Sequence, residues 1–311
     1  SLLSSGTTTA CAYGSSFFTG CDALLDEASH RNMRLIAGNT MMDQDSGPIH
    51  FSSQENHEIA IALVEKWHNK KRLQYCVTPR FALSCSEPLL ELCGALMQQY
   101  PDVYLQTHLN ENHDEISTVK NKFPWSSHYL GVYEKFGLLT DRSIFGHCLH
   151  LTEAEYELMQ HASSIISWCP TSNNFLGSGL FDYEKMRQYT TNITLATDCG
   201  AGSSFSMCRV LDDAYKVAML QGQRLPSLVR WYMATLGAAR ALKMDNVIGS
   251  LSPGKEADFI VLDPEATPLL KYRSQQVDNI FDLLFLLMTL GDERLIYATY
   301  LAGECAFLAK R

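Results

Sequence analysis

The sequence lacks several features that would place it in a narrow class. Its ten cysteines include no C-x-x-C pair, which excludes a cysteine-ligated zinc ribbon. No apolar run approaches the roughly 20 residues that span a bilayer, because the most apolar stretch, residues 280–290, is short and contains Asp282. No signal peptide is recognisable at the start of the chain. We therefore expect reduced, mostly buried thiols in a cytoplasmic protein without a membrane partner.

The sequence also has fewer basic residues than acidic ones. Lysine and arginine number 25 against 34 aspartates and glutamates, which gives a formal net charge of −9. A protein that binds the phosphate backbone of nucleic acid needs a basic face, so this balance excludes that class of partner. With 311 residues and a hydrophobic content of 46%, the chain can fill the core of one large domain or two ordinary ones.

Short apolar or β-branched runs alternate along the chain with longer segments of helical periodicity. Helices are predicted over residues 18–32, 54–71, 86–100 and 151–162, the last with a capping box formed by Thr152 and Glu155. Seven such strand–helix units in series predict a parallel sheet, one unit short of an eight-stranded barrel. The predicted strands are residues 7–14, 34–43, 73–81, 103–111, 143–150, 164–173 and 193–200.

The first segment, SLLSSG, looks like the end of a helix that leads into a strand. We therefore expect an α/β fold, a (β/α)8 TIM-type barrel, whose first strand lies outside this sequence. Residues 1–247 are assigned to units two to eight of the barrel, including a long helical region over about 206–243. Residues 248–311 are assigned to the C-terminal strands of a small β-sandwich subdomain plus a terminal helix, with a break between strands at Ala302-Gly303.

Polar residues follow several of the predicted strands. In barrels of this kind the chemistry takes place at the carboxyl ends of the strands. The fourth strand ends in Arg80, the fifth in His108 and Glu111, the sixth in His147 and the eighth in Asp198. Imidazole nitrogens and carboxylate oxygens are ligands that zinc and iron prefer. The combination, on separate strands, predicts a metal site.

Each of these residues taken alone has a less specific interpretation. A single histidine after an apolar run is more often structural than a metal ligand. Asp198 could be the N-cap of the helix that follows, and Arg80 could form a salt bridge at the rim of the barrel. His113, Asp114 and Glu115 fit the solvated, acid-rich first turn of a helix better than they fit a site.

Longer segments resemble the amidohydrolase superfamily and cover essentially the whole chain. Within it, VTPRFALSCSE (77–87) and GTTTACAYG (6–14) resemble the guanine deaminase family in particular. The segment TDCGAG departs slightly from the family pattern, because Ala201 separates its two glycines. The remaining segments are QTHLNEN (106–112), FGHCLHLTEAE (145–155), CPTSNNFLGSGLFD (169–182), ATDCGAGSSFSM (196–207) and ATLGAARALKMDNVIGSLSPGKEADFIVLD (234–263).

The resemblance implies hydrolytic deamination of guanine to xanthine and ammonia by a metal-activated water, a reaction of purine catabolism and salvage. It implies that His108 is a metal ligand, and that Asp198 is both a ligand and the base that accepts the proton of the water. A bound cation lowers the pKa of water toward neutrality and so makes the nucleophile available. His147 would position that nucleophile, and Glu111 would shuttle a proton to the purine and onward to ammonia.

The same resemblance implies how the purine and the metal are bound. Arg80 would donate hydrogen bonds to the carbonyl edge of the ring, and Phe81 would pack against its face. Binuclear members of the superfamily usually have a modified lysine at the end of strand four, where this chain has Arg80. We therefore expect one metal per chain, Zn²⁺ or alternatively iron. A homodimer is expected from the resemblance and from segment 280–290, although that segment could equally be a buried helix.

The sequence contains no His-x-His pair, which provides two further metal ligands on the first strand of the family. Either that strand lies outside this sequence or the chain is a truncated product, and with His108 and Asp198 alone we expect no activity. Two alternatives to a guanine deaminase stay open. One is another ring aminohydrolase of the superfamily that acts on an aminopurine, pterin or triazine. The other is a catalytically silent relative that serves as a binding or assembly module.

Overall fold

The computed structural model describes residues 1–44, 47–49 and 51–310. The chain divides into two compact units: one spans Thr9–Ile166, and the other comprises Ser1–Thr8 and Ser167–Arg311. The predicted ranges for the barrel, 1–247, and for the small subdomain, 248–311, stay a prediction.

The unit Thr9–Ile166 is built on a parallel sheet. Neighbouring strands pair in the order β1, β2, β4, β5, β6, and β3 pairs with β4. The strands are β1 (Thr9–Tyr13), β2 (Arg34–Gly38), β3 (Thr40–Met41), β4 (Leu73–Pro79), β5 (Tyr104–Leu109) and β6 (Ser143–His147). The helices are α1 (Phe18–His30), α2 (Ser53–Trp67), α3 (Glu87–Gln99), α4 (His113–Lys122), α5 (Tyr129–Lys135) and α6 (Glu153–Ala162), with 3-10 turns at Gly47–Ile49 and Ala82–Ser84.

The strand predicted over residues 34–43 is interrupted and forms the two strands β2 and β3. The interruption falls at Asn39, which is fully buried and accepts a hydrogen bond from the Tyr75 hydroxyl at 2.7 Å. Just before it, Gly38 lies so close to β4 that a Cβ atom would stand 1.9 Å from the carbonyl oxygen of Cys76. The close approach requires glycine, and the buried amide side chain holds the chain where regular pairing stops.

The predicted capping box of α6 is confirmed. The Thr152 side chain accepts a hydrogen bond from the Glu155 amide, and the Glu155 carboxylate accepts one from the Thr152 amide. A second box with the same pattern starts α2, where Ser52 and Glu55 form the reciprocal bonds. These pairs satisfy amide groups that the first turn of a helix leaves without intrahelical partners.

The strand β7 (Ile165–Trp168) lies across the boundary between the units, and the elements that follow it, up to residue 241, are mostly helices. The region over 206–243 is helical, as predicted, and is divided into three helices. The first ends before Gly222, whose φ is 68°, and the second starts after Pro226, its N-cap. The elements are α7 (Pro170–Leu176), α8 (Tyr183–Tyr189), β8 (Ile193–Leu195), α9 (Met207–Leu220), α10 (Ser227–Met233) and α11 (Leu236–Ala241).

The C-terminal part of this unit contains a small antiparallel sheet in the order β11, β10, β9. The predicted break at Ala302-Gly303 is a tight turn in which both residues have a left-handed backbone, with φ of 49° and 87°. The sequence predicted a helix at the end of the chain. In the structure the helices α12 and α13 come before the last two strands. The elements are β9 (Phe259–Leu262), α12 (Pro268–Ser274), α13 (Ile280–Leu290), β10 (Ile296–Leu301) and β11 (Glu304–Leu308), with 3-10 turns at Leu3–Ser5 and Glu293–Leu295.

The parallel strand–helix units and the small antiparallel sheet confirm the predicted fold class. The apolar segment 280–290 is the helix α13, whose Leu286, Leu287 and Met288 are buried while Ile280 and Phe281 are more than half exposed. Among the residues that the structure describes, no helix has the length and apolar character needed to cross a bilayer.

Candidate active site

Two histidines stand at the ends of the adjacent strands β5 and β6. In the parallel register His108 lies opposite Gly146, and Leu109 lies opposite His147. Regular alternation would therefore turn the two imidazoles to opposite faces of the sheet. His147 instead has a left-handed backbone with φ of 68°, and its ring lies 5.3 Å from that of His108 at an angle of 27°. The strained end of β6 thus brings the two rings together.

The orientation of His108 fits a metal ligand. Its Nδ1 atom lies 2.6 Å from the carbonyl oxygen of Arg80. A carbonyl oxygen only accepts hydrogen bonds, so Nδ1 carries the proton and the ring lone pair is on Nε2. Metal-binding histidines usually donate their other ring N–H to a carbonyl or a carboxylate in this way. The residue type and tautomer therefore suit zinc or iron.

Glu111 and His147 form the second pair in this unit. Glu111 Oε2 lies 3.8 Å from His147 Nε2, and the side chains are 14% and 2% exposed respectively. A carboxyl and an imidazole at this separation, both largely removed from water, are able to exchange protons with a bound molecule and share them with each other. The arrangement suits acid–base chemistry at the carboxyl ends of β5 and β6.

Arg80 and Phe81 follow β4 and face the same group of residues. The Arg80 guanidinium lies 5.1 Å from the centre of the Phe81 ring, and the Phe81 ring lies 6.0 Å from that of His108. Arg80 is exposed, and within the described residues no carboxylate forms an ion pair with it. Among the described residues, the alternative of a salt bridge at the rim is therefore not realised. An exposed guanidinium beside an aromatic ring is suited to bind a polar, flat ligand.

Tyr133, which the sequence reasoning did not single out, ties these residues together. Its buried hydroxyl donates to the carbonyl oxygen of His108 at 2.9 Å and accepts from the amide of Ala82 at 3.0 Å. It also bonds the hydroxyl of Thr107 at 3.0 Å. One phenol thereby links the strand that carries His108 to the segment that follows Phe81. No local pattern in the sequence marks it.

Asp198 belongs to the other unit, in the loop that follows β8. It has a left-handed backbone with φ of 45°, and its carbonyl oxygen accepts from the amides of Ala201 and Gly202. A Cβ atom at Gly202 would lie 1.9 Å from the carbonyl oxygen of Thr197, so this turn requires glycine there. The N-cap of α9 is Ser206, which rules out the alternative that Asp198 caps that helix.

Cys169, just after β7, is a further neighbour of Asp198 in the same unit. Its Sγ atom and a carboxylate oxygen of Asp198 lie within 4.8 Å of each other. Cys169 is buried and is the N-cap of α7, where Pro170 is the first helical residue. The Cys-Pro pair at the end of a predicted strand was the signal that could have identified it.

The polar residues after Glu111 agree with the sequence prediction in secondary structure and differ from it in burial. His113–Lys122 is a helix, as predicted, and the structure has Asn112 as its N-cap. Glu115, however, is buried, whereas the sequence predicted a solvated first turn. Burial raises the pKa of its carboxyl, and the nearby charge of Glu111 acts in the same direction, although a hydrogen bond from Tyr129 opposes them.

Comparisons with known proteins extend over nearly the whole chain. A model of the amidohydrolase family matches residues 1–304. The chain is 44% identical over 307 residues to the guanine deaminase of Escherichia coli (strain K12), an alignment that covers 98% of this chain and 70% of that protein. The solved structure of E. coli guanine deaminase superposes with a TM-score of 0.97 at 43% identity, covering 99% of this chain and 72% of that one. The guanine deaminase from C. acetobutylicum, solved with guanine in its active site, superposes with a TM-score of 0.91 at 26% identity, covering 98% and 73%.

Proposed function

The chain belongs to the amidohydrolase family, and from that premise we propose that it provides the active site of a hydrolytic guanine deaminase. The reaction converts guanine and water to xanthine and ammonia. The observation that carries the proposal is the group formed by Arg80, Phe81, His108, Glu111 and His147 at the carboxyl ends of three adjacent strands, in a chain 44% identical to a guanine deaminase.

In this reaction the oxygen of water bonds to the ring carbon that carries the amino group, and the bond from that carbon to nitrogen breaks. Asp198 accepts a proton from the attacking water. Glu111, protonated at the start, delivers its proton to the ring nitrogen. It then takes the proton of the new C–OH group and passes it to the amino nitrogen, which leaves as ammonia, and the proton held by Asp198 restores Glu111. His147, which lies 3.8 Å from Glu111, hydrogen-bonds the attacking water and holds it in place. Both side chains are largely buried, so the protons they hold are not lost to bulk water.

His108 and Asp198 would be two of the ligands of one divalent cation, zinc or iron, and the His-x-His pair of the family, which this sequence does not contain, would provide two more. When bound, that cation lowers the pKa of water and so supplies a nucleophile at neutral pH. The protonated Nδ1 of His108 supports its role, since the Arg80 carbonyl fixes the ring with Nε2 as the donor to the metal. Analysis of the full-length protein by mass spectrometry should find about one metal ion per chain, as expected for a single catalytic site.

Arg80 and Phe81 recognise the purine in this proposal. The guanidinium donates to the carbonyl edge of guanine, and the ring of Phe81 packs against the base. We expect Arg80→Met to lower kcat/KM for guanine about 10- to 100-fold, which corresponds to the loss of a hydrogen bond to a charged group. Unchanged kcat/KM in Arg80→Met would show that the guanidinium does not contact the substrate.

The decisive experiment measures ammonia released by the full-length protein from guanine and from a panel of adenine, pterin and triazine compounds. Ammonia from guanine alone supports the proposal. Ammonia from another ring but not from guanine identifies a different aminohydrolase. No ammonia from any compound, together with no bound metal, identifies a silent relative of the family.

The role of Glu111 has a separate test. Glu111→Gln should leave metal binding intact and lower kcat about 100-fold or more, because a general acid/base is lost. Glu91→Gln is the matched control, since Glu91 is an exposed glutamate of α3 with no contact to the site. A Glu111→Gln enzyme with the kcat of the control would contradict the proton shuttle.

A homodimer and a cytoplasmic location complete the proposal. The mass of the native protein in solution tests whether it is a homodimer.

A further inference from the structure

The buried carboxylate of Glu115 is bonded to the backbone amide of Glu111. Glu115 is the third residue of α4, and its amide donates to the N-cap Asn112 at 2.9 Å. Its own carboxylate turns back toward the strand: Oε2 accepts from the Glu111 amide at 3.1 Å, and Oε1 accepts from the Tyr129 hydroxyl at 2.7 Å. The side chain thus connects the start of α4, the start of α5 and the backbone of Glu111.

The burial of Glu115 exceeds what capping a helix requires. The glutamate at the same position of α2, Glu55, forms its capping box at the exposed surface. Glu115 is only 6% exposed, and taking a carboxylate out of water costs free energy unless hydrogen bonds replace the solvent. Tyr129, itself buried, provides one of those bonds, and the Glu111 amide provides another.

The segment that Glu115 holds is conformationally unusual. Asn110, immediately before Glu111, has a left-handed backbone with φ of 51°. Its side-chain amide donates to the buried carboxylate of Glu155 at 3.0 Å, and its carbonyl oxygen accepts from the amides of Leu149 and His150. Glu155 holds the side chain of Asn110, and Glu115 holds the backbone amide of Glu111, so the backbone at these two residues is fixed. The Glu111 side chain then moves only by rotation about its own side-chain torsions.

We propose that Glu115, held by Tyr129, is a positioning residue that fixes the backbone of Glu111 and thereby keeps the Glu111 carboxyl within reach of His147. The inference rests on the proposed deaminase function, in which Glu111 carries protons. Glu115 touches neither substrate nor metal; it acts through the Glu111 amide. A misplacement of about 1 Å at a reacting group costs about 100-fold in rate, so a residue in this place controls kcat.

The test uses the full-length, metal-loaded protein and the variants Glu115→Ala, Glu115→Gln and Tyr129→Phe. Glu55→Ala is the matched control, because it removes the glutamate of an exposed capping box. Glu115→Ala should lower kcat about 10- to 100-fold with KM for guanine and metal content unchanged. Glu115→Gln should restore most of the rate, because its amide oxygen accepts the Glu111 N–H. Tyr129→Phe, which keeps the ring that packs in the core, should give a smaller loss.

Hydrogen–deuterium exchange at the Glu111 amide provides a readout that does not depend on activity. Exchange should be faster in Glu115→Ala than in the wild type and in Glu55→Ala, because the amide loses its acceptor. Unchanged exchange at Glu111, or an unchanged kcat in Glu115→Ala when wild type is active, overturns the positioning role. If the wild type releases no ammonia from guanine, the proposed function fails, and the exchange measurement alone decides whether Glu115 positions Glu111.

Discussion

The starts of α2 and α6 carry the same capping motif and use it differently. At α2 the Glu55 carboxylate bonds the amide and hydroxyl of Ser52, three residues away, and stays exposed. At α6 the Glu155 carboxylate bonds Thr152 in the same way with one oxygen, while the other accepts from Asn110 and from the amide of Leu130. The same local motif lies at the exposed surface at the start of α2 and joins three elements at the start of α6.

This difference shows what a capping box can do once it is buried. An exposed box satisfies the amides of its own helix and nothing else. A buried box must find partners for every lone pair, because an unsatisfied carboxylate is costly away from water, and those partners come from other elements. The helix starts that follow β5 and β6 are therefore part of the framework of the candidate site, whereas the Glu55 carboxylate at the start of α2 lies at the exposed surface.

The largest effect is expected for Glu155→Ala. The substitution leaves the buried Asn110 side chain and the Leu130 amide without their acceptor, so the free energy of unfolding should fall by about 3 kcal/mol. Urea denaturation at pH 7 measures it, with Glu155→Gln as the control that keeps one acceptor oxygen. A loss no larger than that of an exposed cap would show that the bonds to Asn110 and Leu130 add nothing, and the comparison would fail.

Asp43 extends the comparison to the strand β3, which it follows. Its carboxylate is buried and accepts from the amide of Ser86 at 2.7 Å and from the hydroxyl of Ser53 at 2.7 Å, joining the starts of α3 and α2. Asp43→Ala should lower the free energy of unfolding by about 2 kcal/mol, less than Glu155→Ala because hydroxyl groups near solvent recover part of their bonding. Asp43→Asn, which keeps one acceptor oxygen, should lose less in the same denaturation experiment.

Asp292 lies in the other unit, and there the comparison can be tested by varying the pH. Hydrogen bonds from Arg294, first of all, hold the pKa of the Asp292 carboxyl below its usual value. A folded-state pKa below the unfolded one stabilises the protein at pH values above the unfolded pKa, and this contribution is lost as the pH falls through the folded pKa. Because Arg294 is exposed, Asp292→Asn should cost only about 1 kcal/mol at pH 7.

The pH dependence supplies the control for that variant. Denaturation of wild type and Asp292→Asn, repeated at falling pH, should give free energies of unfolding that converge below about pH 4, the region of an unperturbed aspartate. A difference that stays constant down to the acid range would mean that the carboxylate charge contributes nothing and that the variant acts through packing.

The smallest effect is expected for Glu55→Ala. An exposed capping box contributes about 0.5 kcal/mol, so thermal or urea denaturation should show a loss close to that value. Activity should be the same as that of the wild type. A loss comparable to that of Glu155→Ala would mean that burial does not distinguish the two helix starts.

Local rules predicted most of the fold. Buried apolar runs located the parallel strands, and the S/T-x-x-E pattern located the start of α6. The break between β2 and β3 was missed because it depends on Tyr75, which bonds Asn39 from 36 residues away. The helical region over 206–243 was predicted without internal boundaries, and the structure divides it at Gly222, which has a left-handed backbone, and at Pro226, the N-cap of α10.

The same distinction applies to the candidate site: local patterns predicted some of its residues, and contacts between residues far apart in the sequence determine the others. The strand-end rule and the resemblance led to Arg80, His108 and Glu111 before the structure placed them near one another. The hydroxyl of Tyr133, which bonds His108 from 25 residues away, could not be read from the sequence, since no local pattern marks it. The burial of Glu115 was missed for the same reason, because its partner Tyr129 lies 14 residues away.

The left-handed backbone at Asn110, His147 and Asp198 has a consequence for how this protein changes under selection. That conformation costs an ordinary residue about 1–2 kcal/mol, whereas glycine adopts it freely. Selection for heat resistance alone would favour glycine at these three positions, and selection for chemistry would keep the polar side chains. The ends of β5, β6 and β8 are therefore where thermostability and turnover compete, and engineering for stability should begin at other positions.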